Sequence, residues 1–185
     1  MLLTDTQKTQ LLELARKSIW HGLQQGRSLT IDLDTYREEL RTKRATFVTL
    51  KKNSQLRGCI GVLEAIRPLV EDISHNSYAA AFKDFRFSPV TINEFEHLDI
   101  HLSLLTAPEP ITFKSEQDLL SQIQPNIDGL ILKEGHRRAT FLPSVWQSLN
   151  NKQDFVGHLK VKAGLSAHYW SNQIQFFRYR TEIIE

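Results

Sequence analysis

"ATFVTLKKNSQLRGCIG", residues 45–61, decides how the chain is read. "ATFVTLKK" is rich in β-branched residues, "NSQ" supplies a turn and "LRGCIGVL" resumes an extended run, which together signal a hairpin. In an extended strand, side chains two apart share a face. Leu56, Ile60 and Val62 are then expected to point inward, with Arg57 and Cys59 together on the other side. Cys59 is the only cysteine of 185 residues, so the chain offers no internal disulfide and no multi-cysteine zinc site. Gly58 and Gly61 remove side chains around the thiol, which lets a ligand or another backbone approach. A nearby cation favours the nucleophilic thiolate, so Arg57 predicts a lowered thiol pKa. The plain alternative is a small buried hydrophobe, the fate of most free cysteines.

Working outward, the periodicity predicts a helix over about 6–24, with Leu12, Ala15, Ile19 and Leu23 on one stripe and Thr4 or Asp5 as its cap. A short second helix opens at Asp32 or Asp34. Downstream, Pro68 suits the first turn of a helix over "PLVEDISHNSYAAAF", which "KDFRFSPV" ends. "LDIHLSLLT" alternates as a half-buried strand, and the "PEP" at 108–110 is a boundary. "SEQDLLSQI" reads as a helix capped by Ser115. "DGLILKEGHRRATFLP" reads as two strands around Glu134–Gly135, with a helix starting at Pro143. "QDFVGHLKVKAGL" is a further helix ending at Gly164, and "NQIQFFRYR" the last strand. Hairpins and helices mix without regular β-α-β alternation, so the class is α+β.

Three further clusters could carry chemistry. In "FKDFRFSP", residues 82–89, Asp84 and Arg86 could present a guanidinium fork to a carboxylate or phosphate while Phe85 and Phe87 anchor the loop; a structural Asp–Arg pair is the other reading. In "HLDIH", His97, Asp99 and His101 fall on one face of the predicted strand. A polar outer face explains that spacing, and no metal site is expected there. Arg41, Lys43, Arg44, Lys51, Lys52 and Arg57 cluster without an acid among them. They form either a nucleic-acid surface or the solvated ends of a hairpin, and a formal net charge of +2 favours the hairpin. His75, His101 and His136 all remain possible bases for Cys59. No P-loop, dinucleotide fingerprint or nucleophile-elbow serine occurs. The polar N-terminal segment lacks the apolar core of a signal peptide and no run approaches membrane-spanning length, so no membrane partner and a cytoplasmic location are expected.

With these stretches in hand, the chain resembles the AMMECR domain family, called AmmeMemoRadiSam system protein A in bacteria and archaea. "ATFVTLKKNSQLRGCIG", "AAAFKDFRFSPV", "LDIHLSLLTAPEPI", "DGLILKEGHRRATFLPSVW" and "KAGL" with Trp170 carry the resemblance over nearly the whole chain. It implies one AMMECR-type domain over 1–185, with a larger lobe from both termini and a smaller one from the middle. Each lobe is expected to hold an antiparallel sheet flanked by helices, and a cleft to hold Cys59. It also implies that Arg57, Gly58 and Gly61 belong to the thiol's motif, Asp84 and Arg86 to a second, and Arg138, Thr140 and Phe141 to a third. Ala139 stands where the family often has Gly, and Asp128 where many members carry His. The family's name implies a link to Memo-type and radical SAM proteins; it names no cofactor and no reaction. Two functions follow as expectations. One is a cysteine-dependent enzyme or accessory with Cys59, Arg57 and Asp84 as its catalytic groups, and Gly58, Gly61, Arg86, Arg138 and Thr140 binding ligand. The other is a non-catalytic module for a small anion or protein partner, with nucleic-acid binding a distant third.

Overall fold

The computed structural model describes residues 3–185, and the chain divides into two compact units, Met1–Leu105 with Glu182–Glu185, and Thr106–Thr181. Helix α1 (Asp5–Gln25) starts at Thr4, whose hydroxyl accepts from the Gln7 amide while the Gln7 side chain returns a bond to the Thr4 amide. Gly26, at φ 68°, ends it. A 3-10 turn capped by Asp32 and the four-residue α2 (Glu38–Arg41) follow. The hairpin then forms as β1 (Thr46–Lys52) and β2 (Gln55–Gly61), joined by Asn53 and Ser54, both at positive φ.

Helix α3 (Leu69–Phe82) begins after Pro68 and buries Leu69, Val70, Ile73, Ala80 and Ala81. Its fully buried Asp72 ties it to β1. Oδ2 accepts from the Thr46 amide (3.0 Å), the Thr46 hydroxyl (2.7 Å) and Asn76 (2.9 Å), while Arg67 donates to Oδ1 at 2.9 Å. Next come α4 (Ile92–Phe95), with a capping box between Thr91 and Glu94, and β3 (Asp99–Leu105), antiparallel to β1. Val48, Leu50, Ile100, Leu102 and Leu104 face one core with Leu11, Leu14 and Ile19 of α1.

The second unit opens with β4 (Glu109–Ile111), so the "PEP" segment expected as a boundary is itself strand. An edge position tolerates Pro110, which has no amide hydrogen to offer. After α5 (Glu116–Gln122), capped by Ser115 as expected, β5 (Gly129–Glu134) and β6 (Arg137–Phe141) pair around Gly135. The segment from Pro143 is a 3-10 turn to Gln147 rather than an α-helix, and α6 (Lys152–Lys162) precedes Gly164 at φ 77°. Strand β7 (Gln175–Tyr179) enters the sheet in the order β4-β7-β5-β6. Trp146, Phe155, Leu159, Leu130 and Phe176 fill the separate core of this unit.

"NQIQFFRYR" is not the last strand. After it β8 (Thr181–Ile184) joins the first sheet, whose order is β2-β1-β3-β8. The fold is α+β, with two sheets flanked by helices. No helix among the described residues is long and apolar enough to cross a membrane.

Candidate functional site

Strand β2 carries one residue more than β1 can match. Gly58 pairs with Leu50, but Leu56 pairs with Lys51, which leaves Arg57 as the extra residue of a bulge. The bulge overturns the simple alternation. Leu56 is 46% exposed instead of inward. Arg57 is out of step with Cys59, and its guanidinium meets Glu94 of α4 with Nε to Oε1 at 2.9 Å and Nη2 to Oε2 at 3.0 Å. Lys52 adds a bond to Oε1 at 3.2 Å, and both Thr91 donors reach Oε2. The Arg57 hydrogen bonds above all, against the opposing cost of burial, hold the Glu94 carboxyl far below the usual carboxylate range.

Cys59 itself stays on the outward face of the sheet, half-buried, opposite Thr49. Its Sγ lies 3.3 Å from the Thr49 hydroxyl, and either atom can donate. Its peptide is clamped by the "KDFRF" loop. The Cys59 amide donates to Asp84 Oδ2 at 2.9 Å, and Arg86 Nη2 donates to the Cys59 carbonyl at 3.2 Å. Arg86 also holds Asp84 through Nε to Oδ1 at 2.9 Å and Nη2 to Oδ2 at 2.6 Å. Asp84 is 5% exposed. The Arg86 bonds, with help from the Cys59 amide, keep its carboxyl ionised well below the ordinary range although burial opposes this. The pKa of Arg86 is raised in turn, first by its hydrogen bonds to Asp84. The cation bonded to the Cys59 peptide is therefore Arg86. Phe87 lies under both guanidiniums, 5.9 Å from Arg57 and 5.5 Å from Arg86. Phe85, expected as a second anchor, is 95% exposed.

The motif glycines answer the question of what they admit. A Cβ on Gly58 would stand 2.2 Å from the Ala80 carbonyl oxygen of α3, and one on Gly61 would meet the Phe47 ring and the Thr46 carbonyl within 2.5 Å. What comes close at both is protein.

The remaining expected residues divide. Arg138 and Thr140 belong to the second unit, and the residues around Cys59 to the first. Arg138 is exposed on β6. The Thr140 hydroxyl sits 2.8 Å from the Leu130 carbonyl and 3.1 Å from the Tyr179 hydroxyl, whose pKa burial pushes up to about 12. Asp128 is fully buried. It accepts from the Gln124 amide at 2.9 Å, and Arg178 and Arg180 lie at 3.9 and 3.7 Å. His97 lies in the turn before β3 and not on the strand, so it does not share a strand face with Asp99 and His101. Among the described residues no three His, Cys, Asp or Glu side chains converge as metal ligands. Four of the six basic-cluster residues meet acids from elsewhere in the chain: Arg41 pairs with Asp34, Arg44 with Glu182, and Lys52 and Arg57 with Glu94.

Thr49 and Glu94 are the neighbours that sequence reading passed over. Glu94 had a signal in the Thr-x-x-Glu of its capping box. Thr49 had none before the hairpin register was known.

Comparison with known proteins bears on the whole chain. A protein of Methanothermobacter thermautotrophicus is 33% identical over 94% of this chain and 91% of its own length. One of Methanocaldococcus jannaschii is 35% identical over 100% and 92%. The crystal structure of an uncharacterized protein from Pyrococcus horikoshii matches with a TM-score of 0.86 at 32% identity, covering 98% of this chain and 92% of that one. The AMMECR1 family model matches residues 12–184, and the chain belongs to the AMMECR1 family.

Proposed function

We propose that this protein is a cysteine-dependent enzyme or enzyme accessory in which Cys59 is the nucleophile or covalent anchor. The observation that carries the reading is the clamp on the Cys59 peptide. A charged pair, Asp84 and Arg86, is locked together by two hydrogen bonds and spends two more on the amide and carbonyl of the one residue that carries a half-exposed thiol. A cysteine serving as core filler needs neither the exposure nor the clamp. In this reading Asp84 positions the thiol and Arg86 neutralises charge developing there. Asp84, ionised and fully engaged, does not carry protons. Arg57 braces the strand through Glu94 and is not a ligand clamp. In this reading the protein acts in a cytoplasmic pathway shared with Memo-type and radical SAM proteins, a link that the family's name supports.

The test is incubation of the protein with cell extract, followed by intact-mass analysis. An adduct on wild type that is absent from Cys59→Ser is the expected result. Ligand retained equally by both proteins, with no adduct, would move the assignment to a binding module.

One observation favours a second reading, a module that docks a protein partner. Phe85 stands almost fully in solvent between the two clamp residues, and such exposed aromatics recur at protein interfaces. Loss of partner capture in Phe85→Ala, with Cys59→Ser unaffected, would support it. A small-anion site is disfavoured because both nearby guanidiniums already hold carboxylates.

A further inference from the structure

The four strands of the first sheet set a row of side chains across its outward face. Thr49 pairs with Cys59 on one side and with His101 on the other. Directly opposed residues of antiparallel strands share a face, so Cys59, Thr49 and His101 stand side by side. The backbone sharpens this. The amide and carbonyl of Cys59 point to Asp84 and Arg86, away from β1. Cys59 and Thr49 are therefore a non-hydrogen-bonded pair, the type with the closer side chains. Thr49 in turn directs its own amide and carbonyl toward β3. Beyond His101, Glu185 follows directly on β8, and its Oε2 lies 2.8 Å from His101 Nδ1. A carboxylate on Nδ1 fixes the tautomer and leaves Nε2 as the basic nitrogen. His101 and Glu185 also line a concavity of ≈640 Å³ with Arg16, Lys51 and Asp99, so the ring is reachable by solutes.

We propose that His101, oriented by Glu185, is the base for Cys59 and draws its proton through the hydroxyl of Thr49. This rests on the cysteine reading above and supplies the base it lacks. His75 lies on α3, where partial desolvation and then the charge of Arg67 lower its imidazole pKa, and His136 belongs to the second unit. In the step, the Cys59 S–H bond breaks as its proton passes to Thr49 Oγ1. The hydroxyl's own proton passes to His101 Nε2, with one water completing the span between the two strands. Sulfur then bonds the electrophile, whose leaving group departs with its electron pair. Net charge is conserved as thiolate and imidazolium. The charged groups around His101 are Glu13 and Arg16 from α1, Lys51 from β1, Asp99 from its own strand and Glu185.

The experiment is the rate of alkylation by iodoacetamide from pH 6 to 10, read by intact mass. Cys59 is the only thiol, so the adduct missing from a Cys59→Ser control, in which only amines react, reports on it. For His101→Gln and Thr49→Val the expected result is a rate at least about tenfold lower at pH 7, with little change at pH 10 where the thiol ionises unaided. Thr49→Ser restores the neutral rate, and Glu185→Gln lowers it by a smaller factor. A variant that merely disturbs the sheet slows both limbs and is recognised by that. Wild-type reactivity at pH 7 unchanged by His101→Gln or Thr49→Val would overturn the relay and leave the cysteine reading standing. A wild-type thiol that reacts only on unfolding would overturn both.

Discussion

Asp84 has two oxygens and four donors to serve, and one of those donors is the Cys59 amide. Asp84→Ala would leave the Cys59 amide without its acceptor and Arg86 without its counter-charge. The expected cost is about 2–3 kcal/mol by urea unfolding, toward the lower end for a buried pair because Arg86 reaches solvent. Asp84 and Glu94 also set the acid limb of stability. Both are held below their ordinary values of 3.8 and 4.5. Their contribution is complete above those unfolded values and is lost as pH falls through the folded ones. Stability should therefore begin to drop below about pH 4.5, and Asp84→Asn, already lacking its share, should show a flatter decline. An unchanged slope in that variant would refute the assignment. Buried Asp72 works the other way: desolvation raises its pKa, so protonating it favours the folded form and offsets part of the loss. At this scale the sequence offered several of the residues that the structure brings together around Cys59. Arg57, Cys59, Asp84 and Arg86 all stood out and an Asp84–Arg86 pair was one reading of its loop, but the partner of Arg57 was not legible, because Glu94 lies 37 residues away and nothing local joins them.

At the scale of elements, β2 decides the geometry, and two features of it could not be read in advance. The bulge at Arg57 depends on the match between two strands and not on either strand alone. The approach of α3 depends on tertiary packing, in which the Ala80 carbonyl comes up against Gly58. Gly58→Ala tests that packing. The new methyl would collide with the Ala80 carbonyl, a backbone atom that cannot swing aside. The expected cost is about 1–3 kcal/mol, measured as a lowered midpoint in urea. A neutral Gly58→Ala would show that the glycine serves a ligand and not the helix. Glu94→Gln tests the other edge. It keeps the shape but weakens the charge-assisted bonds to Arg57 and Lys52. A loss of about 1–2 kcal/mol is expected, together with faster hydrogen exchange confined to β2 and α4.

At the scale of the whole molecule, the chain makes one excursion. It leaves the first unit after Leu105 and returns at Glu182, and the helices and strands of both units were largely visible in the periodicity of the sequence. Strand β8 was not. "TEII" is too short to show a period, and its neighbour in the sheet, β3, lies more than seventy residues earlier. Its discovery changes what can be cut. The Thr106 amide donates to the Arg180 carbonyl at 2.8 Å, and the Arg180 amide to the Thr106 hydroxyl at 2.9 Å, so the outgoing and returning segments lie side by side. Replacing residues 107–179 with Asn-Gly should close them as a tight hairpin, since that dipeptide suits a two-residue turn between antiparallel neighbours. The first core draws only on residues of its own unit, from Leu3 to Leu104 and Ile184. The shortened chain is therefore expected to unfold in a single cooperative transition in urea. It should also keep the Cys59 amide protected from hydrogen exchange, because Asp84 is retained. A non-cooperative transition with an unprotected Cys59 amide would show that the first unit does not fold without the excursion.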